Sequence, residues 1–277
     1  MGRGEQGRLE KAMRKAIFIT GGGSGIGRAV AQRFAREGWF IGLADVNEAG
    51  LAETAALIPP GASWTTRLDV RDRAGWDTAL GGFAQASGGS IDVVFNNAGV
   101  AHGGPLAENP QAEIDDLIDI NFRGVAYGAQ AAYPYLKATP GSCLLNTASA
   151  AGIYGVAGFA IYSATKFAVR ALTEALDVEW NRDGLRVCDL MPGFIDTPLL
   201  HGPAGRDSNV SKRDRVAEAG FEFIPMDEVV EAAWNAVHST KVHHPVGKLA
   251  RQAAFAARWM PGRIRKQGRG VFGAGNP

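Results

Sequence analysis

Three side chains in the middle of the chain have the types and the spacing of a proton-transfer site. Tyr162 and Lys166 are four residues apart, which places both on one face of a helix, and Ser149 ends an apolar run before them. A free tyrosine has a pKa of about 10, which a nearby ammonium lowers. A serine hydroxyl can fix the position of a substrate oxygen. The trio predicts proton exchange with an alcohol or carbonyl oxygen during hydride transfer, although Tyr-x-x-x-Lys alone also occurs on solvated helix faces.

A glycine-rich turn follows the first apolar run. The sequence AIFIT at 16–20 leads into TGGGSGIG at 20–27. Glycines allow a tight turn and a close approach to a pyrophosphate, and the following helix N-terminus offers N–H groups and a positive dipole. The spacing departs from the strict G-x-G-x-x-G pattern, and a merely flexible turn is the alternative. We interpret the turn as a dinucleotide site whose contacts are Gly21, Ser24, Gly25, Ile26 and Gly27.

Asp45 is the residue that predicts the type of cofactor. It ends the second apolar run, about 20 residues beyond the glycines, where a carboxylate meets the adenosine ribose. Such a carboxylate accepts hydrogen bonds from both ribose hydroxyls and repels a 2′-phosphate. No basic residue adjoins Asp45, position 24 is Ser, and Arg28 comes after the last glycine. NAD is therefore preferred to NADP, the alternative being that Asp45 is a solvated residue at a strand end.

Two further polar segments end the third and fourth apolar runs. The first is Asp-Val at 69–70, whose carboxylate can accept from an adenine amino group. The second is Asn-Asn-Ala-Gly at 96–99. Its asparagines are expected to hold neighbouring strand ends together, and its small residues leave room for a cofactor. Each segment alone is also typical of a strand end with a purely structural role. The predicted contacts are Asp69, Val70, Asn97, Ala98 and Gly99.

Strand-like and helix-like segments alternate along the chain without repeats. This alternation predicts an α/β fold, a single doubly wound Rossmann-type domain with a mostly parallel sheet of about seven strands and helices on both faces. Ligands of such sheets lie beyond the carboxyl ends of the strands, where the residues above fall. The predicted strands are 16–20, 39–45, 64–70, 91–97, 142–149, 185–193 and a weak one at 242–246; the predicted helices are one ending at Gly38 and those at 47–57, 72–86, 111–137, 162–181 and 227–238.

These motifs together resemble those of the short-chain dehydrogenase/reductase family over roughly residues 13–200. The resemblance rests on TGGGSGIG (20–27), Asp45, Asp69, NNAG (96–99), Asn121 in DINFRG, Ser149, YSATK (162–166) and PGFIDTP (192–198).

The resemblance implies a role for each residue of the reacting site. Tyr162 would be the general acid/base, Ser149 would position the substrate, and Lys166 would activate the tyrosine and bind the nicotinamide ribose. Asn121 would hold a water in a proton relay between Lys166 and solvent. Further contacts are implied around the nicotinamide, where Thr197 would bond the carboxamide. They are Pro192, Gly193, Ile195 and Thr197.

The composition is that of an ordinary soluble globular protein. Its 277 residues are 46% hydrophobic and carry a net charge of +1, which gives no reason to expect a nucleic-acid partner. Cys143 and Cys188 lie in apolar runs and predict reduced thiols in a cytoplasmic protein, and no spacing suits a metal site. We expect a disordered extension at 1–12, a dinucleotide-binding and catalytic domain at 13–247, and a basic tail at 248–277. Translation from Met13 remains an open alternative.

The C-terminal part departs from the resembled family. Many members end in a glycine-rich strand that helps to build tetramers, whereas VHHPVGKLARQ stands at 242–252 here. The helices at 111–137 and 162–181 form the family's usual dimer contact, so a homodimer is expected, with a tetramer as the alternative. The tail mixes aromatic and basic residues, but Pro261-Gly262 interrupts it and its alanines bury little. A solvated or dimer-packing tail is therefore preferred to a membrane-surface helix.

The substrate is expected to be a small, hydrophobic alcohol or ketone. The segments 150–159 and 198–224 are largely apolar, and the second lacks core periodicity, which predicts a mobile lid. His102 is interpreted as a loop residue rather than a pocket residue. A catalytically silent dinucleotide-binding regulator is the main rival, but it would normally have lost one of the three proton-transfer residues. A nucleotide-sugar epimerase or dehydratase would need a larger substrate domain than the part after Gly193.

Overall fold

Seven strands form a single parallel sheet in the computed structural model, which describes residues 14–202, 209–218 and 220–273. The strands lie in the order β3-β2-β1-β4-β5-β6-β7, and each neighbouring pair is parallel. The expected weak seventh strand is the edge strand β7. The strands are β1 (Ala16–Thr20), β2 (Phe40–Asp45), β3 (Ser63–Arg67), β4 (Val93–Asn96), β5 (Cys143–Thr147), β6 (Arg186–Pro192) and β7 (His243–Val246).

Helices cover both faces of this sheet, which confirms the predicted doubly wound, Rossmann-type fold. Parallel neighbours need crossover connections, and helices supply most of them. The helices are α1 (Gly25–Arg36), α2 (Glu48–Ala56), α3 (Arg73–Ser87), α4 (Gln111–Ile118), α5 (Gly124–Ala138), α6 (Ala160–Asn181), α7 (Lys212–Glu218), α8 (Met226–Val237), α9 (Gly247–Trp259) and α10 (Pro261–Gly273).

Alternate side chains of β1 enter two hydrophobic cores. Ile17 and Ile19 belong to the core that contains residues of α1 and α8, and Phe18 belongs to the core built with α3, α5 and α6. Phe83 of α3 packs on Phe18 with its ring centre 5.4 Å away. Successive residues of a strand point to opposite faces, so a strand covered on both sides is apolar throughout. The two packed layers fix the carboxyl ends of the strands.

The direction of winding changes beside β1. This strand pairs with β2 on one side and with β4 on the other, so the chain winds outward in both directions from it. Such a switch point leaves a crevice at the carboxyl ends of the two strands. Thr20 ends β1 and Asn96 ends β4, which places the glycine turn and the Asn-Asn-Ala-Gly segment at that crevice.

Three segments differ from the sequence-based expectation. The helix expected at 111–137 is divided into α4 and α5 by a wider π-helical turn at Asp119–Arg123. The segment 198–224 contains α7, and the tail forms α9 and α10. The extension expected at 1–12 lies outside the described residues. Within the described part of the chain, no helix is long and apolar enough to span a membrane.

Candidate active site

The residues selected from the sequence meet at the carboxyl ends of the central strands. Tyr162 and Lys166 reach this place from the first turns of α6, and Ser149 reaches it from the loop two residues after β5. The glycine turn follows β1 directly, and Asp45 is the last residue of β2. The edge of the sheet therefore carries both the predicted cofactor residues and the predicted proton-transfer residues.

The glycine turn is tight enough to exclude side chains. Gly21 and Gly25 have φ angles of 67° and 51°, a backbone conformation that other residues rarely adopt. A Cβ atom on Gly27 would lie 2.2 Å from the Gly21 carbonyl oxygen, so α1 starts directly against the turn. Ser24 precedes the helix without capping it, so the N–H groups of the first turn, which includes Ile26, have no side-chain acceptor from this residue. These features fit the pyrophosphate of a dinucleotide.

Asp45 lies against the glycine turn. Its Oδ2 accepts from the Gly23 N–H and its Oδ1 from the Asn47 N–H, both at 3.0 Å, and the carboxylate keeps further lone pairs for a ligand. Arg28 is the basic residue that follows the turn in sequence. Its guanidinium donates to Glu53 at 2.7 Å, which compensates its charge. The same guanidinium also donates to the Gly23 carbonyl oxygen, so Arg28 joins the glycine turn to helix α2.

Asp69 and Val70 lie just beyond the end of β3. Arg71 contacts both oxygens of the Asp69 carboxylate, at 2.7 Å for the shortest pair, and this hydrogen bond holds the pKa of Asp69 below its usual value. Sequence reasoning did not anticipate this partner, but the carboxylate still has lone pairs for an adenine amino group. Val70 is buried, and its carbonyl oxygen accepts from the indole N–H of Trp76 at 3.0 Å.

Asn97 and Thr20 tie three strand ends together. The Asn97 amide donates to the Thr20 carbonyl oxygen at 2.9 Å, and the N–H groups of Asn97 and Ala98 donate to the Thr20 hydroxyl at 3.0 and 3.1 Å. The Thr147 hydroxyl donates to Asn97 Oδ1 at 3.3 Å. Asn96 similarly donates to Asn146 Oδ1 at 3.0 Å. The asparagine pair therefore joins neighbouring strand ends, as its position indicated.

Tyr162, Ser149 and Lys166 form one cluster. Ser149 lies close enough to Tyr162 to lower the pKa of its phenol, and its hydroxyl oxygen accepts from the Ala151 N–H at 3.1 Å. The Lys166 ammonium lies 5.7 Å from the centre of the Tyr162 ring and donates to the Thr147 carbonyl oxygen at 2.7 Å. Lys166 is only 3% exposed. The cluster thus combines a proton donor, a hydroxyl that can position an oxygen, and a buried positive charge.

The pKa of Tyr162 does not follow the sequence-based expectation. Burial raises this pKa above its ordinary value of 10.0, and the hydrogen bond with Ser149 opposes the change. Burial also lowers the pKa of Lys166 from 10.5 to about 8. In the protein without cofactor, loss of hydration of the phenolate therefore outweighs the effects of its neighbours, and the lower pKa expected from Lys166 together with oxidised nicotinamide stays a prediction for the complex.

Asn121 occupies the π-helical turn between α4 and α5. Its side chain is fully buried, and both ends of its amide bind Val100: Oδ1 accepts from the Val100 N–H at 2.9 Å, and Nδ2 donates to the carbonyl oxygen at 2.8 Å. A Cβ atom on Gly99 would lie 3.0 Å from Asn121 Oδ1 and 3.8 Å from the Lys166 ammonium, so the missing side chain keeps this place open. The two bonds to Val100 fix the orientation of the Asn121 side chain.

The segment after β6 closes on the glycine turn. Pro192 ends β6, and its carbonyl oxygen accepts from Ser149 Oγ at 3.5 Å. Thr197 is buried, and a Cβ atom on Gly25 would lie 3.5 Å from it. The Ile195 side chain belongs to the hydrophobic core, so a contact between this residue and a cofactor would use its backbone. Gly193 lies against Ile224.

Sequence reasoning missed Lys212. The half-buried ammonium of this residue donates to the carbonyl oxygens of Ala101 and Leu199 at 2.6 and 3.4 Å, and burial lowers its pKa. It thereby fastens α7 to the loop after β4. The next residue in that loop, His102, has a buried Nε2 without a hydrogen-bond partner among the described residues. A lone lysine in an aperiodic segment gives no sequence signal for such a contact.

Comparison with protein families gives a match over most of the chain. The profile of the family described as short chain dehydrogenase matches residues 15–204. Among characterised proteins, the meso-2,3-butanediol dehydrogenase of Serratia marcescens is 35% identical over 188 residues, which cover 68% of this chain and 74% of that protein.

Solved structures give a similar result. A short chain dehydrogenase/reductase from Burkholderia phymatum in complex with NAD has a TM-score of 0.79 at 27% identity, with 93% of this chain and 96% of that chain covered. An alcohol dehydrogenase from the archaeon Thermococcus sibiricus, complexed with 5-hydroxy-NADP, has a TM-score of 0.71 at 26% identity, with 84% of this chain and 95% of that chain covered.

Proposed function

The chain belongs to the short-chain dehydrogenase/reductase family, and we propose that it transfers a hydride between NAD(H) and a hydrophobic secondary alcohol or ketone. One observation carries this proposal: Tyr162, Ser149 and a buried Lys166 form a single cluster at the end of the sheet that bears the glycine turn. A bound nicotinamide would accept or supply the hydride. The relatives named above support the same class of reaction. One is named as the dehydrogenase of a diol, and the two solved structures contain NAD or 5-hydroxy-NADP by their descriptions.

Each residue of the cluster has a defined role in this reaction, and Lys166 has two. The Ser149 hydroxyl holds the substrate oxygen beside Tyr162, and the Tyr162 hydroxyl gives that oxygen a proton in reduction or takes one in oxidation. The Lys166 ammonium stabilises the phenolate and binds the nicotinamide ribose. A water held at the Asn121 backbone links Lys166 to solvent. The Asn121 side chain itself is fixed on Val100.

A spectrophotometric assay tests this proposal directly. The protein, incubated with NAD and a panel of hydrophobic secondary alcohols, should form NADH with at least some of them. Binding of NAD without NADH formation from any alcohol, and without NADH oxidation by the matching ketones, would favour the rival function of a catalytically silent regulator. The nucleotide-sugar epimerase and dehydratase alternatives predict turnover of sugar nucleotides, which the same panel can include.

The first prediction concerns the choice between NAD and NADP. We expect kcat/KM to be at least about ten-fold higher with NAD, a difference of about 1.4 kcal/mol. The physical reason is that the Asp45 carboxylate lies against the glycine turn, where it would repel a 2′-phosphate, while Glu53 compensates the charge of Arg28. Steady-state kinetics with both cofactors measures this ratio.

The variant Asp45→Ala should narrow the preference for NAD. Asp77→Ala is a matched control, because it removes an exposed carboxylate on α3 that pairs with Arg73. The control should keep the wild-type ratio. Equal or better use of NADP by the wild-type protein contradicts the assignment of Asp45.

The second prediction concerns the lid expected at 198–224. Lys212 joins α7 to the loop after β4, and Phe221 packs on Phe194 with ring centres 5.2 Å apart. Lys212→Met keeps the length of the side chain and removes its charged donor. We expect it to raise KM for the alcohol by about two- to ten-fold, the range for loss of one hydrogen bond, with a smaller change in kcat.

Hydrogen exchange gives an independent measure of the same lid. Amides in the segment should become more protected when cofactor and substrate bind, and this gain should be smaller in Lys212→Met. Lys241→Met, an exposed lysine before β7, is the control. Protection that is unchanged by the ligands across 198–224 would count against a lid.

A homodimer through α5 and α6 completes the proposal. These helices expose Phe167 and Val178, and a shallow groove between them is lined by Tyr133, Leu172 and Trp180. Light scattering should give twice the subunit mass of 29.2 kDa. A monomer contradicts this assembly, and a tetramer means that a further surface is used.

A cytoplasmic location stays a prediction; Cys143 and Cys188 are free and buried.

A further inference from the structure

The C-terminal tail concentrates positive charge. Residues 248–277 contain seven of the 29 lysine and arginine residues of the chain and none of its 28 acidic residues. The rest of the chain therefore carries an excess of acidic charge, although the whole has a net charge of only +1. The seven basic residues are Lys248, Arg251, Arg258, Arg263, Arg265, Lys266 and Arg269.

Helix α9 has an inner face of small residues and an outer face of large ones. Ala250, Ala253 and Ala257 follow helical spacing. They pack in a hydrophobic cluster that includes Ala148 and Ile153, on either side of Ser149 in the chain. Phe255 and Trp259, four residues apart, are 60% and 65% exposed. These three alanines thus face the protein, and the exposed face of α9 offers aromatic side chains to a partner.

Pro261 does not end the helical tail. It is the first residue of α10, a position where the missing N–H of proline has no partner in any helix. Met260 lies exposed between the two helices, and the Arg258 guanidinium lies 5.4 Å from the centre of the Trp259 ring. The described side chains of α10 include exposed arginines such as Arg263 and Arg265. Aromatic and basic side chains therefore share one continuous surface.

We propose that this surface, formed by α9 and α10, binds an anionic lipid bilayer. The aromatic side chains would enter the headgroup region, which tryptophan favours, while the basic side chains meet lipid phosphates. Stable peripheral binding needs an apolar and an electrostatic contribution together, and both are present here. A second copy of this chain is a poorer occupant, because two such tails would bring like charges together. The inference does not depend on the proposed oxidoreductase activity.

The start of the tail also lies beside the active site. Helix α9 begins at Gly247, where a Cβ atom would lie 2.4 Å from Ile224, and Ile224 in turn lies against Gly193. A tail on the bilayer would hold the substrate side of the protein near the lipid. Hydrophobic alcohols and ketones concentrate in that phase.

Flotation of the full-length protein with lipid vesicles tests the inference. We expect the protein to float with vesicles of phosphatidylglycerol and phosphatidylcholine at low salt, to stay behind with phosphatidylcholine alone, and to bind less as salt is added. The double variant Arg258→Glu/Arg263→Glu should weaken binding to anionic vesicles by at least about ten-fold. Phe255→Ser/Trp259→Ser should weaken it by a similar factor.

Arg36→Glu/Leu57→Ser is the matched control. These residues are exposed and lie at the C-terminal ends of α1 and α2, outside α9 and α10, so vesicle binding should not change. Circular dichroism checks that all variants are folded. Equal binding to neutral and anionic vesicles, or no binding by the wild-type protein, overturns the inference. So does self-association that Phe255→Ser/Trp259→Ser abolishes in the absence of vesicle binding, which would make the surface a contact between copies.

Discussion

Replacement of Tyr162 by phenylalanine is expected to lower kcat by at least about a hundred-fold, the contribution typical of a general acid/base group. The ring keeps its place next to Lys166, and only the hydroxyl beside Ser149 is lost. The affinity for NAD should therefore change little. Steady-state kinetics and a fluorescence titration with NADH measure the two quantities separately.

Tyr135→Phe is the control for this experiment. Tyr135 lies in the last turn of α5 beside Gly81 of α3 and is not part of the cluster, so its replacement should leave kcat unchanged. Near-full turnover by Tyr162→Phe on a good substrate would show that the catalytic assignment is wrong.

The pH dependence of the same residue has a definite sign. Oxidation of an alcohol needs Tyr162 without its proton, so kcat for oxidation should rise with pH. Burial raises the Tyr162 pKa in the free protein, where an ultraviolet titration should place it above about 10. The positive charge of oxidised nicotinamide favours the phenolate, and we expect the midpoint of kcat to lie below about 10. Identical midpoints in the two measurements would contradict this account.

Replacement of Lys166 by methionine should affect two quantities at once. Methionine fills nearly the same volume, but it cannot stabilise a phenolate or donate to the ribose or to the Thr147 carbonyl oxygen. We expect kcat to fall by at least about a hundred-fold and the affinity for NAD to fall by about ten-fold, the effect of losing a charged hydrogen bond. This joint loss distinguishes Lys166 from Tyr162.

The stability of the Lys166 variant supplies a further readout. Because the folded-state pKa of about 8 lies below the unfolded value of 10.5, the folded protein holds an unfavourable buried charge below pH 8. This penalty disappears as pH rises to about 10.5, so the stability of the wild-type protein relative to Lys166→Met should rise over that window. Lys137→Met, an exposed lysine paired with Asp183, should show no such rise. A relative stability that does not vary with pH would contradict the buried charge.

The sheet and the meeting of the selected residues at one edge of it could be predicted because each has a local signal. Strands buried on both faces are continuous apolar runs, and polar residues that end them must meet at one edge of a parallel sheet. The Tyr162–Lys166 spacing and the TGGGSGIG turn lie within single elements, so tertiary packing did not need to be known. Cofactor type, substrate and the individual roles remain proposals.

The features that could not be predicted depend on distant partners. The π-helical turn at Asn121 accompanies a bond to Val100, 21 residues earlier, and helical periodicity does not reveal it. The raised pKa of Tyr162 depends on burial by several elements. In the tail, Ala250, Ala253 and Ala257 could be assigned to the inner face of α9 only once their hydrophobic cluster with Ala148 and Ile153 was known.

The hydrogen bonds among Thr20, Asn97 and Thr147 separate positions that tolerate little amino-acid substitution from positions that tolerate more. A substitution at any of the three leaves polar groups unpaired on neighbouring strands, so the frame that carries cofactor and proton donor tolerates little variation. The segments at 150–159 and 209–218 lie outside that network. A descendant of this protein could acquire a new substrate by altering those segments while it keeps the arrangement of the proposed proton-transfer residues, and a library for directed evolution should be randomised there first.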